Sequence, residues 1–281
     1  MTENANEYSA WIGRTEEVCD DLSPAQAMLA AATLDDATDM DAGAALPILW
    51  HWFYFLPRTP QSRLGEDGHP QRGGFMPPIP YPRRMFAGAR LRLHRPLAVG
   101  EPARRQGVIH NVTMKAGRSG SLAFVTVGYS FYQRGELCLE EEQDIVYREP
   151  GPPVAAPTPT ELPPPPEGAW TQTVAPDSRL LFRFSALTFN AHRIHYDRAY
   201  ATGEEGYPGL VVHGPLTAVM LLQLTRLRTP RPVIGFSFRG QAPLFDLSPF
   251  HLIGQLHGNQ VALEAQSPDG KTAIIAEAEL A

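Results

Sequence analysis

The sequence lacks the long apolar segments of a membrane protein. None of its 281 residues belongs to an uninterrupted apolar run that approaches the ~18 residues of a membrane-spanning helix. The first residues, MTENANEYSAWIGRTEEVCDD, are charged and polar where a signal peptide would have an apolar core. We therefore expect a soluble protein that is not exported and has no membrane partner.

Cysteine and net positive charge are also scarce. Cys19 and Cys138 lie far apart, and neither is near a CxxC motif or a Cys/His cluster, so the sequence predicts neither a disulfide framework nor a zinc site. The formal net charge of −6 argues against a nucleic-acid partner, while a local basic groove for a small anion is compatible with it. A reducing compartment, the cytoplasm or an organelle matrix, fits these features.

What the sequence does contain is one abrupt change of composition. Residues 149–168 read EPGPPVAAPTPTELPPPPEG, which favours an extended, spacer-like conformation; a proline-rich ligand for a partner domain is the alternative. A chain of 281 residues fits two modest cores better than one. We expect an N-terminal unit at 1–148, a linker at 149–168 and a C-terminal unit at 169–281.

The two predicted units match each other at a constant offset. GARLRLHRPLAVGEP begins at residue 88 and GFSFRGQAPLFDLSP at residue 235, so the offset is 235 − 88 = 147. Such a register favours duplication of one structural unit. The coinciding pairs are Gly88/Gly235, Arg92/Arg239, Pro96/Pro243, Leu97/Leu244, Pro102/Pro249 and His110/His257.

Each unit reads as one helix followed by an antiparallel meander. Ser23-Pro24 opens AQAMLAAATL and Gly214-Pro215 opens LTAVMLLQLTRL, and proline suits the first turn of a helix. Runs of β-branched and aromatic residues follow each helix. A helix wrapped by an antiparallel sheet is the hot-dog arrangement, so we expect an α+β, double hot-dog fold. The predicted hairpin turns are Gly117-Arg118-Ser119-Gly120, Arg134-Gly135, Gly258-Asn259 and Asp269-Gly270.

The densest polar motif lies at residues 184–201, FSALTFNAHRIHYDRAYA. We interpret its apolar beginning as the end of a buried strand, after which an asparagine, two histidines and a tyrosine follow. This motif and the later GYPGLVVHGPLTAVMLLQL resemble the hydratase motif of the MaoC-like, R-specific enoyl-CoA hydratases. Nearly the whole chain is similar to the double hot-dog dehydratases, which include hydratases of mesaconyl-C4-CoA and itaconyl-CoA and mitochondrial hydroxyacyl-thioester dehydratases.

The resemblance implies site residues and one departure. In the family, a catalytic aspartate lies five residues before a catalytic histidine, and a small residue lies six further on; here these positions hold Asn190, His195 and Ala201. His192 and Arg193 replace the family's asparagine and proline, in the FNxHRIHYD variant that the double hot-dog dehydratases share. We expect His195 to act as base and acid, Asn190 to orient the water, and His192 to assist.

The helix that begins at Gly214 is the expected oxyanion site. Its first N–H groups lack intrahelical acceptors and its dipole favours negative charge, so the thioester oxygen would be stabilised there. His213 and Tyr196 are expected to contact substrate or to orient these loops. A metal bound through His192-x-x-His195 is a weaker idea because the spacing supplies no third ligand. We therefore predict no metal and no cofactor, coenzyme A being part of the substrate.

Arginines are expected to bind the anionic groups of the substrate. Arg239 is the predicted partner of coenzyme A phosphates, with Arg226, Arg228 and Arg231 of TRLRTPRP as a basic rim. A buried substrate carboxylate would need an arginine partner. Arg83, Arg84 and Arg193 lie near the expected pocket, and Arg193 is slightly favoured because it lies within the motif.

The first unit contains no copy of the Asn-x4-His motif. Its corresponding region, residues 46–57, reads LPILWHWFYFLP. We expect this unit to be non-catalytic and to shape the acyl pocket, with core packing as the alternative role for most of its aromatics. The four candidates for lining the pocket are Trp50, Trp52, Phe53 and Tyr54.

The leading function is reversible hydration of an acyl-CoA, with a short branched C5-dicarboxylyl-CoA as substrate (itaconyl-CoA or mesaconyl-C4-CoA, giving citramalyl-CoA). A 3-hydroxyacyl-thioester dehydratase of fatty-acid metabolism is the first alternative, and a hot-dog thioesterase or a silent acyl-binding module the second. A thioesterase would need a carboxylate near the helix, where residues 205–225 offer only Glu205 before His213. A silent module would be expected to lose His195. The sequence leaves room for a homodimer.

Overall fold

The described part of the chain forms one continuous antiparallel sheet. The computed structural model describes residues 7–117, 120–160 and 165–281. Within these ranges, ten strands are hydrogen-bonded in the order β1-β3-β4-β5-β2-β7-β10-β9-β8-β6. The strands of the first half are β1 (Thr15–Asp20), β2 (Arg83–Leu93), β3 (Ala103–Gly117), β4 (Gly120–Gln133) and β5 (Glu136–Arg148). Those of the second half are β6 (Trp170–Val174), β7 (Val233–Gly240), β8 (Phe250–His257), β9 (Gln260–Gln266) and β10 (Thr272–Leu280).

The two halves meet where β2 pairs with β7. Gly88 lies opposite Arg239, and Arg92 lies opposite Gly235. Gly235 is the residue that matches Gly88 at the offset of 147, and Arg239 is the one that matches Arg92. The two pairs are therefore equivalent, and the register is symmetric about the pair Arg90 and Ser237. This is the pairing expected of two duplicated strands related by a two-fold axis.

The second half contains the helix-wrapped sheet that the sequence predicts. Helix α4 begins at Gly214, with Pro215 in its first turn, and it packs against β6, β8, β9 and β10. Every residue from Leu216 to Thr225 is buried, which is why this helix is apolar all round rather than amphipathic. The α-helices are α1 (Pro24–Leu34), α2 (Ser178–Leu187), α3 (Arg198–Gly203) and α4 (Gly214–Arg228).

The first half differs from its prediction. Helix α1 forms as predicted, but it packs against α2 and the 3-10 turn Trp50–Phe53. It is that turn which meets the first-half strands: the His51 ring lies 4.7 Å from the Phe131 ring, and His51 Nε2 lies 2.9 Å from Glu141 Oε2. The expectation that the first sheet wraps its own helix was therefore wrong for α1, because residues 46–57 cover that face instead.

The beginning of the polar motif is helical, which corrects the predicted strand. Asp177 caps α2, and its side chain accepts hydrogen bonds from the backbone N–H groups of Arg179 and Leu180. The buried positions Leu181 and Phe184 are three residues apart, as one face of a helix requires. A short apolar run such as FSALTF does not distinguish strand from helix; the capping residue upstream does.

Most of the predicted turns are present. Arg134 and Gly135 adopt positive φ between β4 and β5, and Gly258 and Gly270 do so in the turns beside β9. Residues 118 and 119 of the other predicted turn lie outside the described residues. Residues 149–160 contain no helix or strand, and Val154 N–H donates to Gly206 O at 2.8 Å, which fixes this segment against the second half. In the described ranges, no helix has both the length and the apolar composition to cross a membrane.

Candidate active site

One large cleft lies between the two halves. Its volume is about 2030 Å³, and both halves line it. The first half contributes Val127, Tyr129 and Tyr147 from its strands together with the loop at residues 56–76, and the second half contributes the polar motif and the beginning of α4. The motif residues in its lining are Asn190, His192, His195 and Tyr196, followed by His213 and Gly214.

Asn190 begins the motif loop just after α2. Phe189 has a φ of 48°, a left-handed conformation that turns the chain away from the helix axis. Asn190 Oδ1 then accepts a hydrogen bond of 3.0 Å from the backbone N–H of His192. The side-chain oxygen is therefore engaged in a local turn, while the side-chain amide has no partner among the described residues.

His195 presents a free nitrogen lone pair. Its Nδ1 lies 2.7 Å from the carbonyl oxygen of Val211, and because a carbonyl only accepts, Nδ1 carries the proton and Nε2 is free to accept one. Burial lowers the pKa of His195 to about 4, against the opposing effect of the bond to Val211. The ring is therefore neutral at physiological pH and is prepared to act as a base.

Two more histidines adjoin His195. The ring of His213 stacks on that of His195 with centroids 3.6 Å apart, and its Nε2 lies 2.9 Å from Ser185 Oγ. The ring of His192 lies edge-on to His195 at 5.5 Å. Burial is the main cause of the lowered pKa of both His192 and His213, so both rings are neutral. Tyr196 lies at the edge, and its hydroxyl donates to Ala191 O at 3.0 Å.

Helix α4 begins in the cleft, as the sequence predicts. Gly214 lines the cleft, and a Cβ at this position would meet no nearer heavy atom than Phe86 O at 4.0 Å. Packing within the described protein therefore does not require glycine here, and the space in front of it is open to a ligand. The first N–H groups of α4 point out of the helix end without intrahelical acceptors.

The sequence reasoning missed a pair of residues from the first half. Asp67 Oδ2 lies 3.0 Å from His69 Nδ1, and its other carboxylate oxygen accepts the backbone N–H of His69 at 3.0 Å. The His69 ring lies 4.1 Å from the ring of His192. Burial raises the pKa of Asp67, but hydrogen bonds from His69 and nearby positive charges outweigh it, so this pKa lies below its usual value. Burial lowers the pKa of His69.

Backbone contacts dock this loop against the motif. Arg193 N–H donates to Asp67 O at 2.9 Å, and the Arg193 side chain donates to Glu66 O at 3.1 Å. Gly68 has a φ of +89°, and a Cβ there would overlap the carbonyl of Ala191. The sequence signal was the composition GEDGHPQRGG, residues 65–74, but no spacing rule relates it to a motif more than a hundred residues away.

Most of the predicted arginines lie away from the cleft. Arg193 is held by Asp197 through bonds of 3.0 and 2.8 Å and stacks on Tyr200, outside the lining. Arg239 is exposed on β7 and is also outside it. The basic rim of TRLRTPRP lies at the other end of α4, which at 1.5 Å per residue is about 22 Å from Gly214. In that rim Arg226 pairs with Asp36, while Arg231 binds the carbonyls of Gly258 and Ala281.

Arg84 is the predicted arginine that faces the histidines. It lines the cleft from β2, and its charge lowers the pKa of both His69 and His192. Its guanidinium group has no hydrogen bond or ion pair with a described residue. By contrast, the neighbouring Arg83 is buried in an ion pair of 3.1 Å with Glu205, so the carboxylate considered for a thioesterase is already paired.

Of the predicted pocket aromatics, one lines the large cleft. Trp52 does so, and its indole N–H donates to Glu141 Oε1 at 2.9 Å. Trp50 and Phe53 are fully buried in the core, and the Tyr54 hydroxyl donates to Ser23 O at 2.8 Å. Core packing was the alternative role, and it is the one that Trp50 and Phe53 have.

A metal could be held by one group of side chains. Asp67, His69 and His192 each offer a ligand atom, and these atoms lie within 4.8 Å of one another. This group shares only His192 with the HxxH spacing of the sequence. Within this group, Asp67 Oδ2 and His69 Nδ1 are also hydrogen-bonded to each other at 3.0 Å.

Comparison with known sequences gives consistent results. The family described as hydroxyacyl-thioester dehydratase type 2 matches residues 49–246. Mesaconyl-C(4)-CoA hydratase of Chloroflexus aurantiacus is 68% identical over 275 residues, which are 98% of each chain. The mitochondrial hydroxyacyl-thioester dehydratase type 2 of Schizosaccharomyces pombe is 28% identical over 236 residues, covering 75% of this chain and 78% of that protein.

Solved structures confirm the predicted fold class. A MaoC-like dehydratase superposes with a TM-score of 0.72 at 15% identity and covers 96% of this chain and 98% of its own. A Mycobacterium tuberculosis protein described as having a double hotdog fold has a TM-score of 0.56 at 16% identity, covering 96% of both chains. At these identities the similarity shows the fold alone, and the fold is the α+β double hot-dog.

Proposed function

Because the chain belongs to the family of hydroxyacyl-thioester dehydratases type 2, we propose that it is a hydro-lyase that reversibly hydrates a C5-dicarboxylyl-CoA. The substrate class follows from the 68% identity to a mesaconyl-C(4)-CoA hydratase over almost the entire chain. One observation carries the proposal at the level of the site: the same cleft is lined by a buried histidine with a free Nε2 and by an arginine that has no hydrogen bond or ion pair with a described residue.

His195 is the proposed acid–base group. In the hydration direction, Nε2 takes one proton from the water as its oxygen bonds to the β-carbon of the unsaturated thioester. The electron pair of the double bond moves towards the thioester oxygen, and the imidazolium then returns the proton to the α-carbon. Val211 keeps Nδ1 protonated, so Nε2 alone exchanges the proton. Asn190, which lines the cleft and whose side-chain amide has no partner among the described residues, is the proposed water-orienting residue.

The N-terminus of α4 is the proposed oxyanion site. Gly214 lies at the first turn of a long buried helix whose dipole favours negative charge at this end. The open space in front of Gly214 supports close approach of the thioester carbonyl. No cofactor enters these steps, because the residues and coenzyme A thioester supply every group that they use.

Arg84 is the proposed partner of the substrate's free carboxylate. A carboxylate in a partly buried cleft is costly without a charged partner, and a guanidinium group can bind both of its oxygens. Arg84 supports this role better than Arg193, whose guanidinium group is engaged by Asp197. His192, Tyr196 and His213 remain predicted neighbours of the substrate.

The test compares three substrates. Mesaconyl-C4-CoA, itaconyl-CoA and crotonyl-CoA are offered to the enzyme, and loss of the enoyl absorbance and release of free thiol are followed together. We expect hydration without thiol release, and a higher kcat/KM for a dicarboxylyl-CoA than for crotonyl-CoA. A preference for crotonyl-CoA or a longer straight-chain enoyl-CoA would favour the fatty-acyl dehydratase instead.

The remaining parts of the proposal concern organisation and setting. We propose units at 1–148 and 169–281 joined by the segment 149–168, working in the cytoplasm or an organelle matrix. Both cysteines are free, and Cys19 is exposed, which suits a reducing compartment. A homodimer stays a prediction, which light scattering of the purified protein measures directly.

A further inference from the structure

Asn190 offers the attacking water fewer acceptor positions than a carboxylate would. A water molecule that attacks carbon gives one hydrogen to the base, and an acceptor for its other hydrogen fixes the direction of its lone pair. The motif of the wider family has a carboxylate at this position, whereas here Asn190 Oδ1 is already bonded to the backbone N–H of His192. Asn190 Oδ1 keeps only one further lone pair, where a carboxylate would offer a second oxygen. An additional acceptor elsewhere in the cleft would therefore fix the water more firmly.

The Asp67–His69 pair meets this need geometrically. Because a carboxylate accepts, the 3.0 Å contact with Asp67 Oδ2 places the His69 proton on Nδ1 and leaves Nε2 with a lone pair. The His69 ring packs 4.1 Å from the ring of His192 and lines the cleft, and the His192 ring in turn lies 5.5 Å from that of His195. The side chain is 20% exposed, so water reaches it.

The loop is built to hold this pair in place. Its backbone carbonyls at Glu66 and Asp67 accept hydrogen bonds from Arg193, the residue that follows His192. Gly68, between the two functional side chains, lies so close to Ala191 that a side chain would not fit. These contacts hold Asp67 and His69 beside His192 and the motif on the other half of the chain.

We propose that His69 accepts a hydrogen bond from the attacking water, and that Asp67 is the residue that positions it. This inference rests on the proposed hydration. One hydrogen of the water passes to His195 Nε2 and then to the α-carbon, while the other stays on the oxygen and becomes the product hydroxyl, donating to His69 Nε2 throughout. The first half of the chain thus supplies a catalytic residue.

The test is a set of variants assayed with mesaconyl-C4-CoA under steady-state conditions. His69→Ala is expected to lower kcat about 10²-fold, the usual scale for losing one preorganised hydrogen bond at a reacting atom, and to leave KM within about threefold. His69→Gln places an acceptor oxygen near the position of Nε2 and should recover about tenfold of that loss. Asp67→Asn should lower kcat about tenfold, because its amide can turn towards the ring and reverse the tautomer.

His94→Ala is the matched control. His94 also pairs with a carboxylate, at 2.7 Å from Glu140, but it lies outside the lining of the cleft. Its variant is expected to keep wild-type kcat. Circular dichroism and thermal melting of each variant establish that it is folded, and the Gln variant provides a second reading if the Ala variant is not.

Each contrary outcome is distinct. If His69→Ala kept the kcat of the wild type, this inference alone would be overturned. If the wild type itself did not hydrate mesaconyl-C4-CoA, the proposed function and this inference would both be overturned. A folded His69→Gln no better than His69→Ala would exclude the acceptor role. Chelator-treated wild type is expected to keep its activity; dependence on added Zn²⁺ would overturn the inference, because the ring would then be a metal ligand.

Discussion

The two halves of the sheet differ in what covers them. In the second half, the 15-residue helix α4 lies on β8, β9 and β10, and every residue from Leu216 to Thr225 is buried. In the first half, the strands β3, β4 and β5 are longer, with 15, 14 and 13 residues, yet the 3-10 turn Trp50–Phe53 and its flanking residues cover only part of them. The remaining part, which includes Val127, Ile145 and Tyr147, is buried in a second hydrophobic cluster with Ile79 and also lines the cleft.

This difference explains how a duplicated unit can form one site. The half that keeps its helix provides a rigid helix N-terminus and a histidine held by that helix's preceding loop. The half without an equivalent helix in its described residues provides the space for substrate and a long loop that reaches the motif. The site therefore lies where the loop and strands of the first half meet the motif and the beginning of α4.

The largest expected effect concerns the second half. His195→Ala should lower kcat by about 10²–10⁴-fold with the fold intact, because the imidazole that exchanges the proton through Nε2 is lost. Steady-state kinetics and circular dichroism measure this. If the variant kept more than about a tenth of wild-type turnover, His195 would not be the acid–base group.

The buried histidines should make the protein sensitive to acid. In the folded state His69, His192, His195 and His213 all have lowered pKa values, that of His195 being about 4. Between pH 6.5 and these values the unfolded chain binds protons that the folded chain does not, so stability rises with pH across this window and falls as pH drops. Each histidine contributes up to about 1.4 kcal/mol per pH unit.

Urea unfolding between pH 4 and pH 7 measures this slope. His213→Phe replaces the imidazole by a ring that cannot bind a proton. We expect its free energy of unfolding to change less steeply with pH than that of the wild type. An equal slope in that variant would mean that His213 is not neutral in the folded state.

Arg84→Gln tests the first half's contribution to substrate choice. We expect about a 10²-fold loss of kcat/KM for the dicarboxylyl-CoA, on the scale of a charged hydrogen-bonded pair, and a change of less than about threefold for crotonyl-CoA. Arg92→Gln, on the same strand but exposed and outside the cleft lining, is the control. Equal losses on both substrates would assign Arg84 to the fold rather than to the carboxylate.

Gly68→Ala tests the docking of the loop from the first half. Both Gly68 and Gly73 have positive φ, at +89° and +92°, but only Gly68 would place a Cβ against Ala191. Gly73→Ala therefore carries the same backbone cost without the overlap. We expect Gly68→Ala to be the less stable of the two by about 1–3 kcal/mol in urea unfolding. Equal stabilities would mean that the loop can leave the motif freely.

The smallest expected effect is that of Asn190→Asp. An aspartate also accepts the bond from His192 N–H and restores the carboxylate of the wider family, so activity should fall by less than about tenfold. Complete inactivation with an intact fold, seen by circular dichroism, would show that the amide hydrogens of Asn190 are needed to hold the water.

Local patterns predicted much of this molecule. The start of α4 at Gly214, the turns at Gly135 and Gly270, and the motif histidine facing a cleft follow from short-range rules of capping, φ and spacing. The strand expected before Asn190 was wrong because a short apolar run fits either state. The arginine prediction placed Arg193 ahead of Arg84 by proximity along the chain, which does not report which charges are already paired.

From the sequence, the order of a helix followed by a meander in each half indicated the double hot-dog class, since helices and turns leave local signals. The resemblance of the motif around His195 to a hydratase motif implied the acyl-thioester chemistry. The tertiary structure was needed to show that Asp67 and His69 reach this motif. It was also needed to show that Arg84 lines the same cleft without an ion pair to a described residue, and that α4 covers its own part of the sheet. The reason is that long-range contacts depend on how strands pair and loops dock, and the β2–β7 register brings together groups that no local periodicity relates.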